Sequence, residues 1–236
     1  MITIDKAILD NEYAVEIKQL AYAYNNNSPL FNNINLDVKK GRCVGIIGKS
    51  GSGKSTLLKI INGSLRPLKG EIKVLGIDIR TGYINGLRKR VAYIPQNLGL
   101  VNNTSVLENV ILPCARDDTI RALLGLWKSK YLTEAINILK SVGLEAKAKS
   151  KINRLSGGEM QRVAIARALM QRAELILADE PVSNLDDENA NAILRIIKGL
   201  CKEGRSAIVI IHNKRFAEEY MDETYHLSNG IFERLW

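Results

Sequence analysis

The chain has little cysteine and no long apolar run. Cys43, Cys114 and Cys201 lie far apart in apolar or helical surroundings, in odd number and without C-x-x-C spacing, so they spell no disulfide framework. They read as reduced core thiols, the usage of a cytosolic protein. Nowhere does an apolar stretch approach the roughly 18 residues of a membrane-spanning helix, and any membrane role is therefore expected to be peripheral. The opening MITIDKAILDNEYAVEI has neither a basic segment followed by an apolar core nor a cleavage site, which speaks against secretion. Low-complexity tracts, repeats of fixed period and linkers between independent units are missing as well.

What is present is an ordinary globular composition. Hydrophobic residues make up 46% and charged residues 25% of 236, enough to bury a real core in one large domain or two small ones. Basic residues outnumber acidic ones by 34 to 25, a net charge of +9. Nucleic acid, an acidic membrane surface, an anionic ligand or a merely solvated basic surface would each account for it.

From Ala14 to Val44 short alternating runs, AVEIKQL and then INLDV with Ile34, Leu36 and Val38 on one face, are divided by the turn-rich NNNSP. That is antiparallel-strand patterning. From Cys43 the pattern changes: CVGII is a continuous apolar run followed by a glycine-rich turn and the helical TLLKIING, the strand-loop-helix unit of a buried parallel sheet. EIKVLGIDI and VAYIP read as further strands. Ser105 to Gln171 is mostly helical, with VLENVIL, TIRALLGLW and EAINILKSVGL as amphipathic runs. The α/β pattern resumes with LILADE as a strand, DENANAILRIIKGLCKE as a helix, AIVIIH as a strand, and a last helix and short strands to Trp236. The expected architecture is one α/β domain over residues 1–236, with a β lobe and the first part of the core at about 13–95, a helical insertion at about 97–170 and the rest of the core at about 171–236.

Gly48 to Ser55 reads GKSGSGKS, which fits G-x-x-x-x-G-K-[ST] and lies between a predicted strand and a predicted helix. Gly48, Gly51 and Gly53 let the backbone N–H groups of this loop, through Lys49, Ser50 and Ser52, point at phosphate oxygens. The helix that begins here adds its positive end, Lys54 reaches the β and γ phosphates, Ser55 offers a hydroxyl to Mg²⁺, and Thr56 follows in the first turn. The metal needs a carboxylate too, and LILADE supplies one: Asp179 ends an apolar strand at the carboxyl edge where the loop opens. Two like charges closing a buried strand call for a cation or a water between them. Asp179 is therefore assigned to the metal, and Glu180 to polarising the attacking water. His212 closes AIVIIH at the same edge, in reach of a γ-phosphate; His226, in TYHLSNG, has no such setting and reads as structural. Gln96, just after VAYIP, can touch metal or water with its amide.

In this order along the chain GKSGSGKS, Gln96, LSGGEMQ, LILADE, SNLD and His212 resemble the complete motif set of an ATP-binding cassette ATPase, over about Tyr13 to Trp236. Phosphate loops occur in many unrelated proteins; LSGGEMQ about twenty residues before LILADE is specific to this family. The resemblance implies a P-loop NTPase (RecA-like) core with an antiparallel β subdomain and an inserted α-helical subdomain. It implies Mg²⁺ and ATP, the ATP sandwiched between two cassettes packed head to tail. Ser156, Gly157 and Gly158 of one cassette would approach the γ-phosphate held by the other, and Asp186 in SNLD would line the interface. On this reading the two glycines that open the helix in RLSGGEMQRVAIARAL, each costing roughly 1 kcal/mol in a helix interior, leave bare N–H groups for the partner's ATP. An aromatic residue ahead of the phosphate loop stacks on adenine in this family, and in QLAYAYNNN Tyr24 fits best, with Tyr22 as the alternative. Lys49 and Asn213 depart from the usual spelling, where a small residue and an aspartate are frequent, without touching the catalytic order.

The segments LGLVNNTSVLENVIL, RALLGLW and ARALMQRAELILADEPVSNLD are similar to the ATPase subunit of phosphonate importers. ENVILP and SNLD are also similar to ATPases of lipoprotein-release, macrolide-efflux and cell-division complexes. Soluble cassettes that act on ribosomes or DNA form a third class, typically with two cassettes in one chain or a long coiled coil, and neither is seen in this sequence. The importer reading implies a second ATPase subunit, transmembrane permease subunits docked on the helical lobe, an extracytoplasmic solute-binding protein, no nucleic acid, and a cytoplasmic location, peripheral on the inner face of the cell membrane. With the last core strands reaching Trp236, a C-terminal regulatory domain is not expected.

Overall fold

A computed structural model describes residues 12–24, 29–80, 83–117 and 119–236. The opening segment 1–11 and most of the turn NNNSP, 25–28, lie outside these residues. Strands β1 (Tyr13–Tyr22) and β2 (Phe31–Lys39) pair antiparallel, with Ile17 opposite Leu36 and Leu20 opposite Ile34. Ile34, Leu36 and Val38 are buried and alternate with exposed Asn35 and Asp37, the period of a strand with one wet face. Next come β3 (Cys43–Ile47), α1 (Lys54–Ile61), β4 (Lys69–Val74) and the short β5 (Ile77–Asp78). The antiparallel sheet has the order β2-β1-β4-β5.

The chain then runs through α2 (Ile84–Arg90) into β6 (Val91–Ile94) and enters the helical region: α3 (Val106–Ile111), α4 (Thr119–Leu123), α5 (Ser129–Ser141) and α6 (Gly157–Met170). It returns through β7 (Leu175–Asp179), α7 (Asp187–Lys202), β8 (Ser206–Ile210), α8 (Lys214–Tyr220), β9 (Glu223–Ser228) and β10 (Ile231–Arg234). The second sheet has the order β10-β9-β3-β8-β7-β6. Its strands β9, β3, β8, β7 and β6 are parallel, and only β10 pairs antiparallel, at the edge. Every residue of β7 and β8 is buried, because this sheet is covered on both faces. That is why LILAD and SAIVI carry no polar alternation.

Among the described residues three apolar clusters hold the layers. One joins the antiparallel sheet, α1 and one face of the parallel sheet, with Phe31, Ile46, Leu57 and Leu177 at its centre. A second fills the other face against α6, α7 and α8, through Ile176, Val209, Leu194 and Phe216. The third lies among α3, α5 and α6, through Val106, Val110, Leu139 and Val163. The run TIRALLGLW departs from its reading as one amphipathic helix. Its helix stops at Leu123, Gly125 turns at φ 69°, and Ile120, Leu123, Leu124 and Leu126 stay exposed while Trp127 packs on the helical cluster. A left-handed glycine ends the helix before its apolar side meets a surface to cover it. Among the described residues, no helix is long and apolar enough to cross a membrane.

Candidate nucleotide site

Parallel strands β3, β8, β7 and β6 lie side by side, so the loops leaving their carboxyl ends form one row at strand spacing. The phosphate loop follows β3, His212 follows β8, Asp179 and Glu180 end and follow β7, and Gln96 follows β6. The strand order thus seats Glu180 between His212 and Gln96, and its carboxylate meets both. Gln96 Nε2 donates to Oε2 at 3.1 Å, and His212 Nε2 lies 2.6 Å from Oε1. Glu180 adopts φ 52°, a left-handed conformation that costs a side-chain-bearing residue about 1 kcal/mol or more. Its carbonyl takes hydrogen bonds from the Ser183 N–H and hydroxyl, which hold the turn that aims the side chain along the sheet edge.

One residue earlier, Asp179 is buried and fully engaged. Ser55 Oγ donates to Oδ1 at 2.9 Å and the Tyr93 hydroxyl to Oδ2 at 3.2 Å. Burial, and then the Asp179 charge, push the Tyr93 phenol well above its ordinary range, so it stays a donor. Lys54, 5% exposed, donates to the carbonyls of Gly48 and Lys49 at 2.9 and 2.8 Å and so folds the loop around its own ammonium. Burial lowers its pKa, opposed by Glu180 and Asp179. Gly48 turns at φ 152°, where an added Cβ would stand 2.2 Å from the Leu227 carbonyl of β9; no other residue fits there. The loop also holds an orphan: Ser52 Oγ is buried with no partner among the described residues, the mark of a site that waits for an acceptor. Helix α1 starts at Gly53 with no side-chain cap and no acid in its first turn, leaving its N–H groups and dipole to an anion.

Of the two tyrosines proposed for the base, Tyr22 is 7% exposed and belongs to the core, whereas Tyr24 is 48% exposed. The rings meet edge to face at 5.0 Å, and the Tyr24 hydroxyl lies 2.9 Å from Thr56 Oγ1. Tyr24 therefore has an open ring, anchored to the first turn of α1.

The second predicted cluster stands apart from this edge. Ser156 caps α6 through a capping box: its Oγ accepts from the Glu159 N–H at 3.3 Å, and Glu159 accepts from the Ser156 N–H at 2.9 Å. Lys147 pairs with the same carboxylate. Ser156 and Gly157 are exposed, but Gly158 is buried, and here the structure adds a reason that the motif does not spell. A Cβ on Gly158 would come within 2.8 Å of Asn189 Oδ1, whereas one on Gly157 would meet Leu185 at an ordinary 3.6 Å. Gly158 is thus closely packed against the Asn189 side chain of α7 within the chain, whereas Gly157 meets only an ordinary contact. Asp186, exposed, caps α7 by accepting from Asn189 N at 2.9 Å and Asn189 Nδ2 at 2.8 Å, so both clusters of the motif set end on α7.

Tyr93 and Asn189 are absent from the sequence reading. Alternation within VAYIP sets Tyr93 on the face opposite Ala92 and Ile94, and Asn189 stands three residues after the cap Asp186, where a cap looks for its donor. His226 lies in β9, in register with Glu233 of β10 and Ile47 of β3.

A glycine loop opening a bare helix beside a serine and carboxylate pair, with a second carboxylate held by glutamine and histidine, defines a P-loop nucleotide-hydrolysing protein. The comparisons narrow the class. Residues 31–183 match the family model described as ABC transporter. The chain is 37% identical over 224 residues to the phosphonates import ATP-binding protein PhnC of Fusobacterium nucleatum, covering 93% of this chain and 90% of that one. It is 38% identical over 227 residues to PhnC 2 of Pseudomonas syringae pv. syringae, covering 92% and 82%. Among solved structures it superposes on a dimeric ATP-binding cassette in a post-hydrolysis state bound to ADP and Pi, with TM-score 0.78, 31% identity and coverage of 94% and 99%. It also superposes on a nucleotide-free ATP-binding cassette from an ABC transporter, with TM-score 0.81, 25% identity and coverage of 94% and 91%. The chain belongs to the ABC transporter family, as an ATP-binding ATPase cassette.

Proposed function

We propose that this cassette powers a separate membrane permease that imports phosphonate or a similar small anionic solute, as one nucleotide-binding domain with its β lobe, core and helical subdomain acting together. The observation that carries the ATPase half is the joint hold of Gln96 and His212 on Glu180, next to the Ser55 and Asp179 pair on a single sheet edge. The importer half draws on the phosphonate-import names of relatives that match over most of the chain. Permease subunits, and with them a solute-binding protein, complete the complex, which places the cassette at the inner face of the cell membrane.

In this mechanism Gly48 to Thr56 wrap the phosphates and Tyr24 stacks on the base. Glu180 accepts the proton of the attacking water as its oxygen bonds to the γ-phosphorus and the bond to the bridging oxygen breaks, releasing ADP and phosphate. His212 steadies Glu180 and meets the γ-phosphate. The donor set suits Mg²⁺: hydroxyl, carboxylate and amide oxygens from Ser55, Asp179 and Gln96 would hold it together with phosphate oxygens. Bound there, the ion would neutralise charge on the β and γ phosphates. Ser156, Gly157 and Gly158 serve the ATP of a second cassette, across an interface lined by Asp186.

The test is reconstitution with the permease in vesicles. Phosphonate, supplied with the binding protein, is expected to stimulate ATP hydrolysis. Stimulation by an unrelated solute alone would overturn the substrate assignment and leave the ATPase standing.

A further inference from the structure

Arg167 lies in the third turn of α6, eleven residues beyond the cap Ser156, and its guanidinium has no carboxylate partner among the described residues. Instead NH2 donates to the Leu98 carbonyl and NH1 to the Gly99 carbonyl, both at 2.6 Å. Burial alone acts on this group, holding it below its ordinary pKa. A half-buried cation without a counter-ion is costly unless strong acceptors replace its water, and two short charge-assisted bonds do so.

The two carbonyls belong to the turn that directly follows Gln96. Leu98 and Gly99 both take left-handed conformations, at φ 61° and 57°. The Leu98 N–H donates to Pro95 O and the Gly99 N–H to Asn97 O, each at 2.8 Å, which rolls both carbonyls toward α6. Two residues on, Asn109 of α3 grips Val101 through its N–H at 2.8 Å and its carbonyl at 3.1 Å. The segment from Gln96 to Val101 is therefore fixed at its far end by α3 and in its middle by Arg167. Gln96 itself is left with its amide on Glu180 at 3.1 Å.

We propose that Arg167 is a positioning residue for hydrolysis: by gripping Leu98 and Gly99 from the helix that Ser156 and Gly157 begin, it sets the reach of Gln96 to Glu180. The inference rests on the proposed role of Gln96 beside Glu180. A forked guanidinium is needed, since a lysine ammonium reaches one carbonyl as a point charge and cannot hold two in fixed register.

The test is a double-mutant cycle in steady-state ATPase kinetics of the full chain. Arg167→Ala is expected to lower kcat about tenfold or more, the loss of two charge-assisted bonds, with KM for ATP changed less than about twofold. Arg167→Lys, which keeps charge and stem packing, is expected to lower kcat severalfold and to serve where the alanine variant fails to fold. On a Gln96→Ala background, itself slower than the parent, either substitution is expected to change kcat by less than about twofold, because Arg167 acts through Gln96. Equal losses in both backgrounds, or a raised KM with unchanged kcat, would overturn the proposal and leave the role of Gln96 intact. A Gln96→Ala variant as fast as the parent would overturn both.

Discussion

The sheet edge and the mouth of α6 are built to opposite plans. At the edge nearly every functional group already has a partner in the same chain: Lys54 on loop carbonyls, Ser55 and Tyr93 on Asp179, Gln96 and His212 on Glu180. At the mouth of α6 the partners lie behind the motif. Glu159, Lys147 and Asn189 secure its inner side, while Ser156 and Gly157 are exposed. One region has its groups tied to each other within the chain; the other is held from behind and open in front, the arrangement that its proposed role toward a ligand of another cassette requires.

Five experiments can break or sharpen that contrast. The largest effect belongs to Glu180→Gln, expected to slow phosphate release by about 10²- to 10⁴-fold, the worth of a general base, while ATP binding persists and gel filtration shows a doubled mass with ATP. Hydrolysis at the parent rate would remove Glu180 from that role. Ser156→Arg follows, with turnover expected to fall by about 10²-fold or more and ATP affinity of the isolated monomer unchanged. A loss of monomer affinity would mean that the mouth of α6 serves its own chain.

Next, Gly158→Ala is expected to lower the unfolding free energy by about 1–3 kcal/mol through its clash with Asn189, whereas Gly157→Ala leaves the denaturation midpoint nearly unchanged and lowers turnover. Equal destabilisation of the two would erase the distinction between an inner and an outer glycine. Tyr93→Phe removes one hydrogen bond from Asp179, about 1 kcal/mol, and is expected to raise the Mg²⁺ concentration for half-maximal activity severalfold with the fold intact. The smallest effect concerns acid. Glu159 is held below the ordinary carboxylate range by Lys147 and then by the Ser156 N–H. A depressed folded-state pKa gives stability that is complete above the ordinary glutamate value of about 4.3 and is lost as pH falls through the folded value. Denaturant titrations from about pH 6 to 3 are expected to show a shallower loss for Glu159→Gln than for the parent.

Much of this was legible in the residues. Continuous apolar runs announced strands covered on both faces, GKSGSGKS announced a phosphate loop between strand and helix, and two acids closing LILADE announced an edge that needs a cation or a water. The capping boxes at Ser105 and Ser156 went unread, although S-x-x-E spells both. What stayed illegible joins positions far apart in the chain: Tyr93 to Asp179 across 86 residues and Arg167 to Gly99 across 68. The amphipathic reading of TIRALLGLW failed for a related reason, since periodicity marks an apolar face without saying whether anything covers it.

Local chemistry alone therefore determined most of the elements and marked the candidate site residues, because backbone freedom, capping and strand burial act over a few residues. The tertiary structure decided their company. The order β3-β8-β7-β6 put Glu180 between Gln96 and His212. The packing of α6 on α7 pressed Gly158 against Asn189 and left Gly157 at the surface. Neighbours in space are chosen by how sheets and helices stack, and a linear pattern with period two or 3.6 carries no term for that choice.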